Sequence, residues 1–142
     1  MRTLIWLLLS AALCGCATTP PSPSEILPAP DAQIFFKGAV RSSTTARIIV
    51  IRDGGVFGSA NYMHFYVNEQ KAASLDPRQK IELDLQAGEY ALGVKPTDPF
   101  GVHSLYSIDQ MLQAGRTYHY RIIYDAQTGA RIQRVSTTPR QP

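Results

Sequence analysis

The sequence predicts an all-β fold, a small antiparallel β-sandwich of about seven strands, on three observations. Short runs of β-branched and aromatic residues recur from Ile34 to Val135, with turn residues between them. Several runs alternate apolar and polar residues, as strands with one covered face do. No stretch in that region repeats apolar residues at helical spacing over several turns; only Ser104 to Gln113 reads as a single helical turn, with Ser107 or Asp109 as its cap.

Residues 1–15 read as a signal peptide. Arg2 precedes an apolar run from Leu4 to Leu13, too short for the ~20 residues a membrane-spanning helix needs. The run ends in Leu13-Cys14-Gly15-Cys16, which resembles the lipobox of bacterial lipoproteins. A lipobox requires a small residue directly before the acylated cysteine. Gly15 meets that requirement for Cys16, whereas Cys14 follows bulky Leu13. The resemblance implies a diacylglyceryl group and an N-acyl chain, such as palmitate, on Cys16. Ala17 follows where Asp would favour inner-membrane retention, so the same resemblance points to the outer membrane. Each buried CH₂ contributes about 0.8 kcal/mol, so several chains anchor stably where one is marginal. With Cys16 acylated, the mature chain has no free thiol to mispair in an oxidising periplasm.

Residues 16–31 are the lipidated cysteine and a Pro/Ser-rich tether. Thr18 to Glu25 and Leu27 to Pro30 hold five prolines. Proline has no amide donor, so this stretch is expected to stay out of any sheet and to run as polyproline-II-like chain. At about 3.1 Å per residue it would lift the domain roughly 40 Å from the membrane. Residues 32–135 are the sandwich, and 136–142 a disordered tail.

Within the sandwich, Ala46 to Arg52 is a β-branched run, expected as a central strand buried on both faces. Met63 to Val67 and Gln70 to Leu75 form a hairpin, with Asn68 taking positive φ at its turn. Lys80 to Leu85 alternates: Ile81, Leu83 and Leu85 face the core, Glu82 and Asp84 face water. Tyr90, Leu92 and Val94 share a face of the next strand. Thr117 to Asp125 is a long strand with Tyr118, Tyr120, Ile122 and Tyr124 on one side, and Thr128-Gly129 turns it back into Ala130 to Val135. Leu85-Gln-Ala-Gly-Glu-Tyr90 and Leu112-Gln-Ala-Gly-Arg-Thr-Tyr118 echo each other, which reads as two independent solutions to one kind of turn.

The series from Ala46 to Arg52, Gly58 to Tyr62, Phe65 to Asn68, Leu75, Leu85 to Tyr90 and Ala114 to Tyr118 resembles a family of small bacterial lipoproteins of unassigned function. Their domain is similar to PEGA and carboxypeptidase-regulatory-like sandwiches. The likeness spans about Ala46 to Tyr124. It departs at Glu69, where Gly is common, and at Ala87, where Pro is frequent. The resemblance implies a fold and supplies no catalytic residues.

Chemistry is sparse. The formal net charge is +3, and thirteen basic against eleven acidic residues remain once Arg2 is removed, too mild a balance for nucleic acid. His64, His103 and His119 are far apart in sequence with no metal-ligand spacing, and no metal or cofactor is expected. His64 and His119 read as strand-face histidines with satisfied hydrogen bonds. Asp98, His103 and Ser104 share a loop that would suit a small periplasmic hydrolase, but no G-x-S-x-G elbow is present and turn chemistry alone produces such loops. Asp53 to Ser59 is no P-loop; Val56 and Phe57 on it are the candidate binding residues for a partner or glycan. The expected role is a non-enzymatic accessory, lipid-anchored at the outer membrane, periplasm-facing, meeting an envelope protein or peptidoglycan. A hydrolase using the 98–104 loop and a passive structural lipoprotein are the alternatives.

Overall fold

Alternation decides which side of each strand meets the core, and the strands fall into two sheets accordingly. A computed structural model describes residues 18–55, 60–97, 102–125 and 127–136. In chain order the strands are β1 (Leu27–Pro28), β2 (Thr45–Arg52), β3 (Met63–Val67), β4 (Gln70–Leu75), β5 (Gln79–Gln86), β6 (Gly88–Pro96), β7 (Tyr106–Leu112), β8 (Thr117–Asp125) and β9 (Gly129–Val135). One sheet has the order β1-β5-β2-β8-β9, the other β4-β3-β6-β7. Their facing sides enclose a core in which Tyr120, Phe65, Ile48 and Met63 are fully buried. The chain is therefore an all-β sandwich, and its first sheet is mixed: β2 runs parallel to β8, and β1 parallel to β5.

The two strands beyond the expected seven are β1 and β7. Leu27 and Ala29 donate their amides to the Arg78 and Lys80 carbonyls at 3.0 and 2.8 Å. Pro28 and Pro30 alternate with them, so the missing donors fall on the side that needs none. The proline-rich stretch thus joins a sheet edge, contrary to expectation. The chain then stays on the sandwich, with Ile34 bridged to Ala73 and the Phe35 amide bonded to the Ala72 carbonyl. β7 replaces the expected helical turn. It is an edge strand beside β6, with Ser107, Asp109 and Met111 exposed and Ile108, Gln110 and Leu112 turned inward.

β2 is central as expected, but only one face is buried. Ala46, Ile48 and Val50 lie in the core, while Arg47, Ile49 and Ile51 are half-buried. That outer face carries ion pairs instead of a further layer: Arg47 meets Asp84 at 2.8 Å and Glu82 at 3.4 Å. The Arg47 guanidinium holds the Asp84 carboxyl below its usual range. On β5, Ile81, Leu83 and Leu85 are buried and Glu82 exposed, as the alternation requires.

Turns set the two ends. Asn68 and Glu69 both take positive φ, 48° and 64°, between the paired residues Val67 and Gln70. The echoed segments are two of the four corners where the chain changes sheet, β5 to β6 and β7 to β8. The Ala87 amide donates to the Thr44 carbonyl and the Gly115 amide to the Thr45 carbonyl, both docking on the start of β2. Their glycines differ, with φ of 154° at Gly88 and 75° at Gly115, so the copies are distinct turns.

Candidate functional site

The end of the sandwich opposite those corners gathers the polar burial. There β2 terminates in Arg52-Asp53, an apolar strand running into two charges. Arg52 is 3 % exposed, and its Nη1 donates to the Asn61 and Leu75 carbonyls, each at 2.7 Å. One guanidinium thereby ties β2 to the approach of β3 and the end of β4 in the other sheet. Burial pushes its pKa down to about 10, so it stays charged at neutral pH. Asp53 has a fully buried side chain and receives Arg121 of β8, Nε on Oδ1 at 2.9 Å and Nη2 on Oδ2. Its amide also donates to the Ile122 carbonyl.

This clamp fixes Gly54, and Gly54 is where the N-terminal segment arrives. Thr19 and Gly54 exchange two backbone hydrogen bonds, 2.9 and 3.0 Å. A Cβ on Gly55, whose φ is +146°, would lie 3.2 Å from the Thr18 Cα. The two glycines admit a second backbone. Pro23–Glu25 then makes one 3-10 turn, and Glu25 reaches Arg78, which borders Gly54, at 3.7 Å.

On the same end, a cleft of about 270 Å³ opens between the β6–β7 loop and the β8–β9 turn. His103, Ser104, Val102 and Leu105 line it, with Thr128 and Gly129 opposite. His103 and Ser104 are exposed; Asp98, the third residue of the expected loop, lies outside the described residues. Val102 is 76 % exposed, Tyr62 42 % and Leu105 37 %. Cys16, Val56 and Phe57 also lie outside the described residues.

A second array was half legible. His64 sits on the outer face of β3, its Nδ1 2.8 Å from Ser74 Oγ and its Nε2 3.1 Å from Thr97 Oγ1. Thr97 Oγ1 donates to the Tyr62 carbonyl, so Nε2 is the donor toward Thr97 and Nδ1 accepts from Ser74. Burial, followed by the Lys71 and Lys95 charges, lowers the His64 pKa. A serine donating to a neutral imidazole is the first step of nucleophile activation. Here the serine is only 6 % exposed, next to the last residue of β4, and the orienting group is a threonine, so the array pins β3, β4 and the end of β6 together. It is the satisfied strand-face histidine the sequence predicted.

Among the described residues no group of three His, Cys, Asp or Glu side chains is placed to hold a metal, and no helix is long and apolar enough to cross a membrane. Glu82 and Asp84 are engaged with Lys80 and Arg47 on the outer sheet face. No protein-family model matches the chain, and neither a curated protein nor a solved structure matches it.

Proposed function

We propose that the chain is a lipoprotein of the bacterial outer membrane, anchored through acyl chains on Cys16 and facing the periplasm. Its sandwich, akin to PEGA and carboxypeptidase-regulatory-like domains, acts as a non-enzymatic accessory to an envelope protein. The observation that carries this reading is the join at Thr19. Three residues past Cys16 the chain is already hydrogen-bonded to Gly54, beside the Arg52-Asp53-Arg121 clamp. Lipids on Cys16 would therefore hold a folded, thiol-free domain at a defined position on the membrane. The exposed His103 and Ser104 serve turn geometry in this reading, with no part in hydrolysis.

The test combines mass and crosslinking. Intact mass of the chain from membranes is expected to show loss of residues 1–15 and addition of a diacylglyceryl and an acyl group, both absent in Cys16→Ala. In-cell crosslinking is then expected to join the lipidated chain, and not Cys16→Ala, to an envelope protein, with His103→Ala unchanged. A chain without lipid would refute the anchor. Crosslinks to peptidoglycan alone would replace the protein partner, and lost function in His103→Ala would favour the hydrolase.

A further inference from the structure

We infer that the clamp end of the sandwich rests on the phospholipid leaflet itself, with Tyr62 and Val102 dipping into the headgroup region. This inference rests on the lipid anchor proposed above and adds the orientation of the domain and its lipid contact.

Three observations carry it. The first is length. Only Ala17 and Thr18 separate Cys16 from Thr19, a reach of about 10 Å over three Cα steps even when fully extended. Thr19 is bonded in both directions to Gly54, so the acyl chains start within that radius of the clamp. The expected stand-off of roughly 40 Å needed a free tether, whereas Thr19, Leu27 and Ala29 are hydrogen-bonded along the sandwich.

The second is placement. Met63 pairs with Pro96 and Val94 with Tyr106, so the ends of β3 and β6 and the start of β7 share the end where β2 terminates. Arg52 ties the same end of both sheets together. Tyr62 and Val102 are exposed there, on the segments leading into β3 and β7, while Leu105 lies over Gly93 of β6. β9, under the 270 Å³ cleft, lies two strands from β2, about 10 Å across the sheet.

The third is charge. Among the described residues, the acidic groups of this end have partners within the protein. Asp53 is fully buried against Arg121, and Asp125 accepts the Gln127 and Thr128 amides at 2.8 and 3.0 Å. Asp76 takes a bond from Gln33 at 3.2 Å and Glu25 pairs with Arg78. Arg78 keeps 53 % of its side chain in water. Exposed apolar tips beside the half-exposed Arg78 suit a leaflet surface, and a lipid anchor beside them supplies the second attachment that stable surface binding needs.

The experiment uses the full lipidated chain in vesicles of phosphatidylethanolamine and phosphatidylglycerol. Acylated Cys16 cannot react with maleimide, so Val102→Cys or, at the far end, Ala114→Cys each provides one labelling site for an environment-sensitive dye. Strands of eight or nine residues place those labels about 30 Å apart. A nitroxide-headgroup lipid is expected to quench the Val102 label several-fold more than the Ala114 label. Tyr62→Asp is expected to weaken quenching at position 102. Equal quenching at both ends, or stronger quenching at 114, would overturn the orientation while leaving the anchor intact. Unchanged quenching at 102 in Tyr62→Asp would overturn the apolar contact. Absence of lipid by intact mass would instead remove the anchor itself.

Discussion

Breaking the Asp53–Arg121 pair from its two sides should have unequal consequences, because its members are unequally buried. The Asp53 side chain is 0 % exposed and Arg121 is 24 % exposed. Arg121→Met keeps the apolar stem and leaves a carboxylate with no water to turn to, for which the loss of a buried partner destabilises by about 3–5 kcal/mol. Asp53→Asn keeps the shape and one acceptor, and the quarter-exposed guanidinium can rehydrate, so the loss is about 1–2 kcal/mol, near that of a charged hydrogen bond. At roughly 4–8 °C per kcal/mol for a domain of this size, the two variants should melt roughly 10 °C apart, with Arg121→Met the lower. The double variant should be more stable than the sum of the singles predicts, with a coupling of about 1–3 kcal/mol. Thermal and urea unfolding of the unlipidated Cys16→Ala chain, followed by circular dichroism, measures all three. Equal losses, or a larger loss in Asp53→Asn, would refute the view that a buried carboxylate is the costly half of this clamp.

Four further outcomes follow from single environments. His64 has a lowered pKa in the folded state, so the unfolded chain takes up its proton first; stability is full above the unfolded value of about 6.5 and falls as pH drops below it. Urea midpoints across that window are expected to show the slope, and His64→Gln to flatten it. The Tyr120 hydroxyl is buried and finds no partner among the described residues, so Tyr120→Phe should gain about 1 kcal/mol, read as a raised midpoint. Glu69 holds φ of +64° in a two-residue turn, and Glu69→Gly should raise stability by about 0.5–1 kcal/mol, which the same melts detect. His103→Ala should leave the melting temperature within about 4 °C of the parent, since exposed substitutions shift stability by less than about 0.5 kcal/mol.

What was legible in the sequence follows from where the physics is local. β5 and β8 could be read residue by residue because Leu83 and Tyr120 are buried by the same alternation that spaces them along the chain. β7 could not. Its outward side carries Ser107 and Asp109, and an edge strand with a polar outer row looks like a capped turn until its partner β6 is known. β1 was excluded by applying the proline rule to every position of the stretch, although a strand on an edge offers only every second amide to its neighbour. The parallel pairing of β2 with β8 joins residues about 70 apart, and no local pattern encodes it. The clamp had one visible sign, an apolar strand ending abruptly in Arg52-Asp53 before two glycines. Its meaning depends on Arg121, on Leu75 and on Thr19 reaching the same point from three other parts of the chain. That convergence turns a proline-rich leader from a spacer into a strap. Under the proposed lipid anchor such a strap would fix which end of the sandwich meets the membrane, whereas a spacer would leave every face equally available.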